Sequence, residues 1–275
     1  MKMISRRTIR NNLLQIASLT EKNIKLHLRF KFQIIIAYIS PIISILMPLI
    51  IFGQFFELKS SIGPWTAENY LVFQFIAYNL FLLRGILSEY PNQIRNEKFW
   101  KTLPGLIIAP LNRYNLLFGI FFSHLILISA PFIIFIVSCY IYSPISFGTL
   151  LFIICIYFLI TLIFSGIGLI FGVFAISNEN VWRLLMFLIN IVFWLSCITY
   201  PFELFPNFVQ DIINLNPLYY IFDFLRVSWI QDNVVLTIST YYSYFLVLII
   251  FTVILCIIGV KTFNFIYKKY GIVGY

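Results

Sequence analysis

Leu246-Val247-Leu248-Ile249-Ile250-Phe251 decides the fold class of this chain. The six residues are uniformly apolar, so they do not alternate as a half-buried strand or a barrel strand would. They sit inside a much longer apolar run, roughly 239–266, which exceeds the ~20 residues that a helix needs to cross a hydrocarbon core. Ile34-Ile35-Ile36-Ala37 opens a second run of the same kind. Reading outward from these two, apolar segments long enough to span recur at about 33–56, 69–88, 114–137, 147–176, 181–200 and 239–266.

Composition leads to the same solvent. Apolar residues make up 61% of the 275 and charged residues 11%, against about 45–50% and about 25% in soluble domains. One globular core cannot hide so much apolar surface, and disordered chains are poor in aromatics, which here reach 19%. The expected fold is therefore all-α and membrane-embedded, with six transmembrane helices over residues 33–266. They are flanked by a cytoplasmic amphipathic segment at 1–32 and a cytoplasmic tail at 267–275. The apolar run that follows the first 32 residues is too long for a signal-peptide core and lacks a small-residue cleavage site, so the chain is expected to keep its N-terminus. Cys139, Cys155, Cys197 and Cys256 are scattered through apolar runs without metal spacing.

Lys and Arg set the orientation. In a six-span arrangement 17 of the 19 basic residues fall on one side, leaving only Lys59 and Arg226 opposite, where six of the ten acids lie. Both termini are then cytoplasmic, in a multi-pass plasma-membrane protein. The net charge of +9 reads as a topology signal rather than a nucleic-acid footprint.

Three connections carry information. Residues 11–32 read as an amphipathic helix: Leu13, Ile16, Ala17, Ile24 and Leu28 recur at helical spacing, while Lys22, Lys25 and Arg29 take another face. Such a helix lies along a leaflet and offers its cations to phosphate headgroups, or else simply anchors the topology. The connection at about 89–113 mixes charge with Phe99 and Trp100, which suits docking of a cytoplasmic partner. The connection at about 201–238 contains Pro201-Phe202-Glu203-Leu204-Phe205-Pro206 and Asn214-Leu215-Asn216-Pro217. It is too apolar for a solvated loop and too broken by proline for a span. Short helices dipping back into the outer leaflet fit it.

Within the spans, no Asp or Glu occupies a central position. That weighs against an ion-coupled carrier and against a membrane-embedded hydrolase. Arg84 is placed to snorkel or to pair inside the bundle, and His124 to hydrogen bond between helices. Ser165, Gly166, Gly168 and Gly172 give one span a small-residue face, for packing within the subunit or for a dimer seam. Tyr38, Tyr78, Phe81 and Tyr157 are at a depth to line a path or to pack the core.

At the two long connections the chain resembles the type-2 ABC exporter permeases. Glu97, Thr102-Leu103, Pro110 and Arg113 match that family's cytoplasmic pattern, although Lys101 and Pro104 stand where it usually has Gly and Glu. The proline-bracketed 201–206 segment, followed by Asn216-Pro217-Leu218 and ending in Arg226, is similar to its external pattern. The resemblance implies a half-transporter without catalytic residues or cofactors of its own. A second permease chain, forming a homodimer, completes the path. Two copies of a separate ABC ATPase subunit bind ATP and Mg and grip a coupling helix at Glu97, Trp100, Thr102, Leu103 and Arg113. Pro201, Pro206, Asn216, Pro217 and Arg226 then belong to the external re-entrant element. Lys22, Lys25 and Arg29 would frame a headgroup entrance for an amphipathic or lipid-linked substrate, a glycan or glycolipid being favoured over a small hydrophobic drug or antibiotic. No Gly is followed by Lys anywhere, so no phosphate loop is encoded. A reading of another class is a non-transporting membrane scaffold that docks a cytoplasmic partner. Such a scaffold has no use for the apolar, proline-broken far-side segment.

Overall fold

The computed structural model describes residues 6–58, 61–101, 112–177 and 179–270. Its elements in chain order are α1 (Arg6–Arg29), α2 (Lys31–Leu58), β1 (Ser61–Ile62), β2 (Trp65–Thr66), α3 (Tyr70–Arg84), α4 (Ile86–Phe99) and α5 (Arg113–Tyr142). These are followed by α6 (Phe147–Ser177), α7 (Glu179–Trp194), a 3-10 turn (Phe202–Leu204), α8 (Asn207–Asn214), α9 (Pro217–Gln231), α10 (Val234–Thr240) and α11 (Tyr242–Tyr270).

Five stretches among the described residues are long and apolar enough to cross a membrane: Lys31–Gln54, Tyr70–Glu97, Tyr114–Tyr142, Phe147–Gly172 and Tyr242–Phe265. The sixth expected span, 181–200, is carried only by α7, whose 16 residues reach about 24 Å at 1.5 Å per residue. That falls short of a hydrocarbon core of about 30 Å. The helix stops for local reasons. The Ser196 hydroxyl donates back to the Val192 carbonyl at 2.6 Å, the Asn216 amide donates to the same carbonyl at 2.8 Å, and Cys197 turns the chain at φ 53°.

The second span also differs from expectation. Residues 89–99 do not form a separate connection but continue the span as α4, beyond a kink at Gly85 whose N–H bonds the Leu82 carbonyl at 3.1 Å. The charges Glu89 and Glu97 tolerate this because α1 supplies partners for both. Pro91 lies inside α4 and has no N–H to return to Leu87, and the Leu87 carbonyl instead faces Gly168 of α6. The β1–β2 hairpin and its cap have no counterpart in the periodicity reading. Asn69 closes the hairpin, accepting from the Thr66 amide at 2.7 Å and donating to the Pro64 carbonyl at 2.9 Å.

Helix α6 is the central element, packed by α4, α11, α9, α7 and α3. The Gly face decides how close these neighbours come. A Cβ on Gly166 would lie 2.6 Å from the Leu255 carbonyl oxygen, and one on Gly168 would lie 3.1 Å from the Ile86 and Leu87 carbonyls. Ser165 and Tyr90 share a hydrogen bond of 2.8 Å on the same face. The small-residue stripe therefore serves packing within the subunit. Helix α2, which carries Pro41 and Pro48, is peripheral, with only 17% of its apolar window buried.

Candidate functional site

The end of α4 and the start of the chain meet. Helix α1 lies on α5 through its polar face: Asn115 donates to Asn12 at 3.0 Å and to Gln15 at 2.7 Å, and Thr20 donates to the Gly119 carbonyl at 3.4 Å. A Cβ on Gly119 would come within 2.7 Å of the Leu19 Cβ, so the two helices touch backbone to side chain. Ile9, Leu13, Leu14 and Leu28 are left exposed. An apolar stripe turned outward, with its polar stripe satisfied by protein, is the arrangement of a helix lying at a lipid surface.

Two ion pairs then tie α1 to α4. Lys22 pairs with Glu97, and His27 Nε2 lies 3.2 Å from Glu89 Oε2. The Glu89 carboxylate beside the imidazole raises the His27 pKa above the ordinary histidine value, against the opposing pull of burial. Lys22, read from the sequence as a headgroup contact, is thus brought to Glu97, read as a partner contact. Lys25 pairs with Glu21 at 2.6 Å along α1, and both side chains are well exposed; such a pair contributes little. Arg29 ends α1 exposed. Beyond Glu97, which is buried, Phe99 and Trp100 project, 81% and 42% exposed. Lys101 holds φ 57°, the left-handed conformation that ends a helix. Thr102 and Leu103 lie outside the described residues. So does the Arg113 side chain, although its backbone opens α5 behind an Asn112 cap that accepts from the Tyr114 amide at 3.0 Å.

At the opposite end of the bundle, the residues singled out between 201 and 226 form one cap. Pro201 and Pro206 precede the 3-10 turn and α8, each with φ close to −60°, the value proline imposes. Asn216 and Pro217 start α9. The Asn216 side chain accepts from the Leu218 amide at 3.1 Å and donates to the Ser196 hydroxyl at 2.9 Å, so the N-cap of α9 also staples the frayed end of α7. Pro217 occupies the first helical turn, where its missing N–H costs nothing. Glu203 lies under the hairpin turn, where a Cβ on Gly63 (φ 57°) would meet its carboxylate at 2.5 Å. Asp232 closes α9 in the left-handed region and accepts from the Ser146 amide at 2.7 Å, which holds its carboxyl below the usual aspartate range.

Arg226 is 1% exposed. Its guanidinium donates to the Ile198 carbonyl at 2.5 Å and stands 3.8 Å above the centre of the Phe73 ring. Asp223 lies one turn earlier on the same helix. The sequence marks Arg226 only as the end of a motif; the structure makes it the bolt between α9, the 195–199 turn and α3. Gln74, one residue on from Phe73, donates to the Thr199 carbonyl at 2.9 Å and strengthens the same junction.

The remaining candidates are internal. Arg84 pairs with Asn190 and lies 4.4 Å over the Phe193 ring, bridging α3 to α7 rather than reaching for headgroups. Aromatic and amide partners on α7 hold the guanidinium within the bundle. His124 is buried against the Gly85 kink, where a Cβ would come within 2.9 Å of its Cε1. Tyr78 stacks on Phe135 at 3.6 Å and Tyr157 meets Phe132 at 5.0 Å, both within the core of one subunit. His27 and Glu89 were missed by sequence reasoning. The available signal was the placement of Glu89 and Glu97 eight residues apart, within one face of α4.

The comparisons with known proteins agree with this architecture. The family model described as ABC-2 type transporter matches residues 14–230, from α1 through α9. The inner membrane transport permease YadH of Escherichia coli (strain K12) is 25% identical over 213 residues, covering 74% of this chain and 79% of that protein. The protein of the same name in Shigella flexneri aligns with the same 25% identity and coverage. ABC-2 permeases are membrane components that work with a separate ATPase subunit and are not themselves ATPases. Built from apolar helices of spanning length and matched by that model over most of its length, the chain belongs to the ABC-2 type transporter family, as a multi-pass membrane permease subunit.

Proposed function

We propose that the chain is an exporter permease that pairs with a second copy of itself to form a path out of the cytoplasm. The substrate is amphipathic or lipid-linked, with a glycan or glycolipid favoured. In this reading α7 acts as a short sixth span, completed by the 195–216 turn. The segment from α8 to α9 is the re-entrant element. Both termini and the end of α4 are cytoplasmic, on the side of the 17 basic residues.

The observation that carries the reading is the end of α4. Phe99 and Trp100 stand exposed just past Glu97, which is anchored to α1 by Lys22. A spanning helix that ends in a projecting aromatic pair offers a partner something to grip, and its anchor passes the resulting motion to α1. The ATPase subunits, carrying ATP and Mg, push here. The substrate class follows from what the spans offer. Their acids lie toward the ends, and Glu89 and Glu97 are already engaged by α1, so a highly charged solute finds no compensation at mid-depth.

Trp100→Ala is expected to weaken association with the ATPase subunit by about 10–30-fold, the size of an interfacial tryptophan hot spot, while membrane insertion is unchanged. Co-purification and a titration of one subunit against the other measure it. Undiminished assembly together with normal transport would remove the end of α4 as the coupling element.

The orientation has its own check. With the four native cysteines replaced, Asn96→Cys is expected to be shielded from an impermeant thiol reagent in intact cells, and Asn207→Cys to be labelled. The reverse pattern inverts the topology and with it the side on which the ATPase docks.

A further inference from the structure

The contact of His27 with Glu89 joins α1, a surface helix, to α4, the helix that ends in the projecting aromatics. We propose that this pair is a proton-operated latch. It adds a second tie between α1 and α4 while His27 is charged and drops it when His27 is neutral, and so sets how strongly the permease drives its ATPase partner. The second half of this proposal rests on the permease reading above; the first half does not.

The geometry is that of a latch rather than of a surface ion pair. His27 Nε2 and Glu89 Oε2 are 3.2 Å apart, and the two side chains are only 19% and 21% exposed. The carboxylate therefore cannot replace the imidazolium with bulk water at little cost, as exposed pairs do. The two residues come from different elements, and α1 has only this pair and Lys22–Glu97 as ionic ties to α4 among the described residues. Lysine keeps its charge across the physiological range and histidine does not, so one tie is permanent and the other conditional.

The groups around the pair come from α4 and α5. From α4, Glu89 faces the His27 ring, and Glu97 further along is engaged with Lys22. From α5, the buried His124 interacts electrostatically with both Glu89 and His27. Helix α2, which also touches α1, places no charged group on the ring among the described residues. His124 is wedged against the Gly85 kink. Glu89 itself lies in the first turn of α4, just past that kink. When the grip fails, α4 keeps its tie at Lys22–Glu97 and loosens around Glu89, upstream of Phe99 and Trp100.

The direction with pH follows from the hydrogen bond. Glu89 holds His27 protonated above the ordinary histidine value of 6.5. With the folded value above the unfolded one, the stabilisation is complete below the ordinary value and is lost as pH rises through the raised one. Acid closes the latch and rising pH opens it.

The test needs first only the purified chain in lipid nanodiscs. Thermal unfolding is followed from about pH 6 to about pH 8.5 for the natural chain and for His27→Arg, His27→Gln and Glu89→Gln. The natural chain should match His27→Arg at the acid end and fall about 2–4 °C below it at the alkaline end, where it converges on His27→Gln. Glu89→Gln should abolish the step. A constant offset between the natural chain and His27→Gln across the range overturns the latch, as does a step that survives Glu89→Gln. The Gln comparison decides the matter even if the arginine variant fails to fold.

The second arm adds the ATPase subunit and measures the permease-dependent part of ATP hydrolysis. The ratio of natural chain to His27→Arg should fall about two- to fivefold toward the alkaline end. A flat ratio overturns the coupling half of the proposal. Failure of any ATPase to associate, with the thermal step intact, would instead overturn the permease reading and leave the latch standing.

Discussion

Arg226→Ala is expected to destabilise the folded chain by about 2–4 kcal/mol, because a charge-assisted hydrogen bond, a desolvated cation–π contact and a buried side chain are lost together. Nothing in the cap can absorb the loss. The guanidinium is 1% exposed, satisfies the Ile198 carbonyl and covers the Phe73 ring. Its removal strands that carbonyl and opens a void between α9 and α3. Thermal unfolding in nanodiscs should register a fall on the order of 10 °C. Arg226→Lys keeps the charge but not the planar fork that donates and stacks at once, so it should recover only part of the stability. A loss below about 1 kcal/mol for the alanine variant would mean that α9 is held by its apolar contacts alone. Because the bolt joins α9 to α3, either variant is also expected to loosen the 195–216 turn, which limited proteolysis of intact proteoliposomes reads directly.

Gly166→Leu should be as severe, for a steric reason. The first added atom would already lie 2.6 Å from the Leu255 carbonyl oxygen and 2.7 Å from its carbon. Both are backbone atoms of a helix and cannot swing aside. The reciprocal contact repeats the constraint, since a Cβ on Gly259 would lie 2.8 Å from the Gly166 carbonyl. Helices α6 and α11 would have to separate along the seam that organises the bundle. The expected cost is about 3 kcal/mol, the upper part of the range for overpacking. It is measured as loss of the monodisperse peak on gel filtration and a lowered unfolding temperature. Gly53→Ala is the matched control. No atom lies within 4 Å of a Cβ there, and the position is inside α2, so alanine should be neutral or stabilising by up to about 1 kcal/mol. Equal behaviour of the two variants would show that the seam is soft.

What the sequence determined by itself was whatever depends on a single segment meeting a single solvent. Run length and lack of alternation made the chain helical and membrane-spanning, because lipid leaves a backbone no other way to satisfy its polar groups. Five of the six expected spans and the helical N-terminal segment were legible on that basis. The helix–lipid preference acts residue by residue. The tertiary structure decided whatever depends on two segments meeting. Apolar content alone made 181–200 look like a full span, but Ser196 and Asn216 together draw off the Val192 carbonyl and end α7 early. Charge alone made 89–99 look like a connection, but Lys22 and His27 neutralise Glu97 and Glu89 and let the helix run on. The same holds for Arg226, whose burial is tolerable only because Phe73 and Ile198 are waiting for it. Local patterns report the cost of placing a group in lipid. They do not report the partner from a distant segment that removes that cost, and in this protein those partners determine where helices stop, where they continue and which charges lie inside.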